Sequence, residues 1–220
     1  GAFFSAEDAD SPGGEGAFYV WTRQEFLDAL GTGDGDFAAG WFGVTRAGNF
    51  PPSGDGEGRS VLSLYQRDSA GPEDEARAER VRSILRAARN RRPRPRCDTK
   101  ILADWNCMMI AALAQASRAL GEPSWYTIAH RAMTFIHAGL RLPDGGLAHR
   151  YCDGEAAIPA FADDYAWAIQ ALCELYSTGQ DPGLLDQAVA FCALADTHLT
   201  APAGEYYAVP DTAEPLILRR

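Results

Sequence analysis

The chain has 220 residues, 46% of them hydrophobic, and carries 30 acidic against 20 basic side chains for a formal net charge of −10. That length and apolar content suffice for one sizeable core or two small ones, and the acidic balance argues against a nucleic-acid or anionic-membrane partner. The five cysteines form no CxxC pair, and no signal peptide or apolar span is visible, so a cytoplasmic, reducing setting is expected, with no metal and no cofactor.

The N-terminus Gly1-Ala2-Phe3-Phe4-Ser5 has no initiator Met and reads as the middle of a longer chain. After the aromatic stretch Phe18-Tyr19-Val20-Trp21, Thr22 and Glu25 form a Thr-x-x-Glu capping box that opens a helix to about Leu30. A glycine- and proline-rich loop covers about 45–59. Glu73 to Arg89 sets Val81, Ile84, Leu85 and Ala88 on one face and predicts an amphipathic helix. Its acidic start Glu73-Asp74-Glu75 and basic finish suit the helix dipole. Arg89, Arg91, Arg92, Arg94 and Arg96, interleaved with Pro93 and Pro95, then read as the basic end of that helix running into an extended linker.

From Leu102 onward the sequence repeats at a shift of 59 positions, which sets Ala103-Asp104 on Ala162-Asp163 and Ile110 on Ile169. The same shift sets Ala112-Leu113 on Ala171-Leu172, Leu140 on Leu199 and Gly145 on Gly204. Each unit reads as two helices and a short hairpin. The first runs Leu102 to Leu120, then about Ser124 to Leu142 with Ser124 as a possible cap, then a hairpin in Gly146 to Pro159 turning at Asp153-Gly154. The second runs Phe161 to Thr178, Gly183 to Thr200, and a possible hairpin near Glu205 to Leu218.

The first helix of each pair is apolar almost all round, as an inner helix would be, and the second is amphipathic. The expected fold is mainly α: a partial (α/α)6 toroid of the six-hairpin type, built from helix pairs with short β-hairpins. Residues 1–72 form an irregular N-terminal part and 73–220 the helix-pair region, with repeats at 98–160 and 161–218. Six pairs at this period would need about 354 residues, so the chain is expected to hold an incomplete ring with an open side and little activity by itself.

Polar residues gather in the first turns of the inner helices: Asp98, Lys100, Asp104 and Asn106 in one unit, Asp163, Asp164 and Tyr165 in the other. Lys100 is the only lysine in the chain, and a compact ammonium kept among arginines suits a site with a tunable charge, though composition alone can leave one lysine behind. The acids either cap their helices or face a common cavity from neighbouring pairs. Asp163 and Asp164 diverge by about 100°, so one faces inward and the other caps or pairs. Asp104, Asp163, Asp164 and His149 are the acid–base candidates, and Asp98, Lys100, Trp105, Asn106 and Tyr165 the substrate-binding ones. Trp105 and Tyr165 suit either a sugar face or the core, and Trp167 reads as core.

Phe4 to Ser11 followed by Glu15 to Thr22, the stretch Arg96 to Ile110, Ile158 to Ala166, and Glu214 to Ile217 resemble motifs of one thioredoxin-domain protein family, whose animal members are called spermatogenesis-associated protein 20. Cys107 stands where the family pattern has glycine after Trp-Asn. The resemblance implies a toroid similar to those of N-acylglucosamine 2-epimerases and related glycosidases, following an upstream thioredoxin-like domain in the same parent chain. Two functions are then expected as alternatives. One is a carbohydrate-handling site for sugar isomerisation or glycoside cleavage, taking a small carbohydrate. The other is a non-catalytic ligand-binding or scaffold domain serving the thioredoxin-like domain.

Overall fold

The computed structural model describes residues 1–50, 58–64 and 71–214. The elements, in order, are β1 (Ala6–Glu7), β2 (Asp10–Ser11), β3 (Gly14–Glu15), α1 (Arg23–Trp41), α2 (Pro72–Arg89), β4 (Cys97–Asp98), β5 (Ile101–Leu102), α3 (Ala103–Leu120), α4 (Pro123–Gly139), β6 (Ala148–Cys152), β7 (Glu155–Pro159), α5 (Ala162–Gly179) and α6 (Pro182–Leu199). They fall into two compact units, one of residues 7–97 and one of residues 1–6 with 98–220.

In the unit of residues 7–97, α1 begins as its capping box dictates. The Thr22 hydroxyl accepts the Glu25 N–H at 3.2 Å, and the Glu25 carboxylate accepts the Thr22 N–H at 2.7 Å. The helix does not stop at Leu30: Gly31 (φ 74°) kinks it, and a second stretch continues to Trp41, burying Gly35, Ala38 and Ala39. A glycine tolerates that left-handed turn, so a break that reads as an end is only a bend. α2 packs on α1, and Trp21, Phe26, Phe42, Val81 and Leu85 fill the core between them.

In the other unit the helix pairs follow the sequence closely. α3 and α5 lie side by side, α4 packs outside α3, and α6 outside α5. This is a mainly helical, partial (α/α) toroid-like arrangement, with inner helices buried along one side by Ile110, Ala114, Leu172 and Leu175 and outer helices contributing Met133, Ile136 and Phe191. The repeat survives down to single hydrogen bonds. Leu142 N–H reaches Gly146 O at 2.9 Å as Ala201 N–H reaches Glu205 O at 2.7 Å, and Ala148 N–H reaches Leu140 O at 2.9 Å as Tyr207 N–H reaches Leu199 O at 2.8 Å. Gly145 and Gly204 hold φ of 86° and 92° at matching turns. The cap of α4 is Glu122 rather than Ser124: the Glu122 carboxylate accepts the Ser124 N–H, and Pro123 takes the first helical position, where a missing N–H costs nothing.

β6 and β7 form the predicted hairpin, turning at Asp153 (φ 51°) and Gly154 (φ 88°), and β5 joins β6 as a third strand. In the second repeat an isolated bridge pairs Thr200 with Tyr206, and 207–214 run as bends and turns without a strand, so the hairpin expected near Glu205 to Leu218 does not form over its described part; its last residues, 215–218, and the motif residues Pro215 to Ile217 lie outside the described residues. Among the described residues no helix is long and apolar enough to cross a membrane.

Candidate functional site

Three elements bring one cluster together. Asp104 sits in the first turn of α3, His149 in β6, and Asp164 is the third residue of α5. One ligand-type atom from each lies within 4.8 Å of the others. Asp164 is the centre of it and is 1% exposed. Its Oδ2 accepts the Phe161 N–H at 2.8 Å, which ties the start of α5 in the manner of the carboxylate half of a capping box, Phe161 itself having no acceptor to return. Its Oδ1 accepts the Asp104 N–H at 3.0 Å, one of the main-chain donors that the first turn of α3 leaves without a partner in the helix. Both oxygens lie 3.0 Å from His149 Nδ1.

A carboxylate only accepts, so Nδ1 carries the proton. That fixes the tautomer and leaves Nε2 with its lone pair and no hydrogen bond among the described residues. The bond to Asp164 holds the imidazole pKa above its ordinary value, with partial burial working the other way. Asp104 is half-buried. Burial pushes its carboxyl up, and the Asp164 charge adds to this, against the Trp105 N–H that it accepts at 2.7 Å. Asp104, His149 and Asp164 are the residues to consider for a cation, but a metal on Nδ1 and a proton shared with Asp164 exclude each other.

Opposite His149 the β6–β7 ladder is interrupted. Ala148 pairs with Pro159 and Arg150 with Ala157, while Ile158 between them holds φ 67° and is 45% exposed. Left-handed backbone is an outlier for a β-branched residue. Strain of this kind gathers at functional sites, and here it faces the candidate base.

The remaining candidates are placed differently. Lys100 Nζ pairs with Asp98 at 2.7 Å, both side chains well exposed, and that bond lowers the Asp98 pKa. Asn106 is buried; its amide donates to the Phe3 and Leu102 carbonyls and its oxygen accepts the Phe3 N–H, which docks the N-terminal segment. Tyr165 is buried, its hydroxyl accepting the Leu147 N–H at 3.2 Å. Asp163 is exposed, so the carboxylate that meets Asp104 is Asp164. Trp105 is 51% exposed, and Trp167, read as core, is 38% exposed. Cys107 lies in the core, where burial pushes its thiol pKa up.

No family model matches the chain. Human spermatogenesis-associated protein 20 is 31% identical over 225 residues, covering 86% of this chain and 29% of the relative. An uncharacterized protein of Caenorhabditis elegans is 32% identical over 230 residues, covering 89% of this chain and 31% of that one. The chain therefore spans a little under a third of the length of these relatives. Among solved structures, a sugar epimerase from a ruminal bacterium overlaps 60% of this chain and 40% of its own, with a TM-score of 0.43 and 16% identity, which carries nothing about reaction. With the motifs around Trp21, Asn106 and Asp164 and this level of identity over most of its length, the chain belongs to the spermatogenesis-associated protein 20 family.

Proposed function

We propose that this region carries a sugar-handling acid–base site of the epimerase or isomerase kind, with His149 as the base. The observation that supports it most is the occupancy of Asp164: two main-chain N–H groups and Nδ1 of His149 hold both oxygens, so the neutral ring keeps its lone pair on Nε2. In that role Nε2 takes the proton from the carbon beside a sugar carbonyl. Asp104, whose pKa is raised by burial, supplies the acid partner.

The glycosidase alternative has less support. Its inverting form needs carboxyls about 6.5–9.5 Å apart with water between them. Asp104 and Asp164 approach within 4.8 Å, and Asp164 is too buried to act as a nucleophile.

The test is proton exchange. A full-length family member incubated in D2O with reducing mono- and disaccharides should wash deuterium into the position beside the carbonyl, and the change equivalent to His149→Gln should abolish this while leaving the fold intact. Absence of exchange with every sugar, together with no sugar raising the melting temperature, would overturn the reading. A second reading is favoured by one observation: Lys100 is spent on Asp98 and Asn106 on Phe3, so the polar first turn of α3 is engaged in structure. On that reading the domain is a scaffold for the upstream thioredoxin-like domain, and the exchange experiment is silent while deletion of this region releases or destabilises that domain.

A further inference from the structure

A chain of net charge −10 nevertheless concentrates guanidinium groups around one cavity in the unit of residues 7–97. The cavity holds about 260 Å3, and Ser11, Phe18, Thr22, Glu25, Arg59 and Arg92 line it. Arg92 is part of its wall. One terminal nitrogen donates to the carbonyls of Ala17, Phe18 and Val20, the other to Glu25 at 3.2 Å, and the group lies 4.1 Å from the centre of the Trp21 ring. Arg89 and Arg94 both lean on the Phe18 ring, at 5.2 and 5.4 Å.

Among the described residues, two carboxylates answer these four cations. Glu25 is shared between Arg92 and the Thr22 N–H, and Glu7 is taken by Arg94 and Tyr19. Arg59 pairs with no acid among the described residues. Burial lowers the Arg92 pKa, with the Glu25 charge working the other way and the Arg59 and Arg89 charges adding to the lowering. The Ser11 hydroxyl and Arg89 Nε are buried without a hydrogen-bond partner. Of the two, Ser11 lines the cavity, and an orphaned buried hydroxyl beside Arg59 and Arg92 asks for an acceptor.

We propose that this cavity binds a small organic oxyanion, its charged end on Arg59 and the Ser11 hydroxyl and its apolar part along Phe18. The cavity's six named walls suit one charged group beside one apolar group. This is a recognition site in its own right, built only from residues of the 7–97 unit. The arginine-rich stretch after α2 thereby gains a use that its reading as a helix end left open.

Inorganic phosphate and benzoate serve as probes on the whole chain, with sodium chloride at matched ionic strength as the reference. At least one of the two anions should raise the melting temperature above the chloride reference and shift the Gly13 and Thr22 amide resonances saturably: phosphate if the charged end is a phosphoryl group, benzoate if it is a carboxylate. Arg59→Gln should weaken the effective anion by about tenfold, the loss of one charge-assisted contact, while the exposed Arg80→Gln should leave it unchanged. Equal effects of chloride and both probes, or equal loss in the two variants, would overturn the proposal. If Arg59→Gln fails to fold, unsaturable or absent amide shifts in the unaltered chain overturn it alone.

Discussion

The two helix pairs of residues 98–220 share a backbone and differ in chemistry. At the shift of 59 positions α3 maps onto α5, the glycines of the turns coincide, and so do the hydrogen bonds that close them. The cluster arises where the correspondence fails. Asp164 stands where the first pair has Trp105, and His149 stands where the second has Ala208. Trp105 is exposed and Asp164 buried, so one register position serves the surface in one module and anchors three elements in the other. A repeat supplies the frame; its departures supply the cluster.

The largest effect should come from that position. Asp164→Ala leaves the Phe161 and Asp104 N–H groups and the His149 ring without their acceptor, and should cost about 3 kcal/mol in urea denaturation. Trp105→Ala, at the equivalent place, should cost less than about 1 kcal/mol, because half of that ring is already in water. Equal costs at the two positions would break the contrast. The shared frame gives the next effect. Gly145→Ala and Gly204→Ala each force a side chain into left-handed backbone, with nothing nearby to clash, and should each cost about 1 kcal/mol. Costs that differ several-fold would mean that the two turns are not equivalent in energy, whatever their geometry.

Periodicity made the frame legible. Apolar spacing, proline at helix starts and glycine at turns act locally, so α2, α3, α5, α6 and the β6–β7 hairpin are readable within a few residues. The kink at Gly31 was not, because only packing against α2 tells a bend from an end. The cluster was half legible. Its residue types and its place at the leading turns follow from the sequence, yet the choice of Asp164 over Asp163 depends on helix phase against β6. The spacing Phe161-x-x-Asp164 was the available signal, since an acid at the third helical position reaches back to the chain entering the helix. Rarity in composition says nothing about an acid two residues away, and the Lys100 ammonium is paired with Asp98.

The smallest effect concerns the other departure, His149 against Ala208. The folded-state pKa of His149 is raised above the ordinary value near 6.5 by its bond to Asp164. Protonation is therefore tighter in the folded chain, and the stability this contributes is complete below about pH 6.5 and lost as pH rises through the folded value. His137 acts in the opposite sense: burial and the Arg141 charge lower its pKa, so what it contributes is lost as pH falls. The two would partly cancel in the unaltered protein, and a difference measurement separates them. The stability of the parent chain minus that of His149→Gln, measured by urea denaturation between pH 5.5 and 9, removes His137 because both proteins carry it. The gap should be widest at the acid end and narrow toward the alkaline end; a gap that widens with pH would mean that Asp164 holds the neutral ring more tightly than the charged one, against the raised pKa.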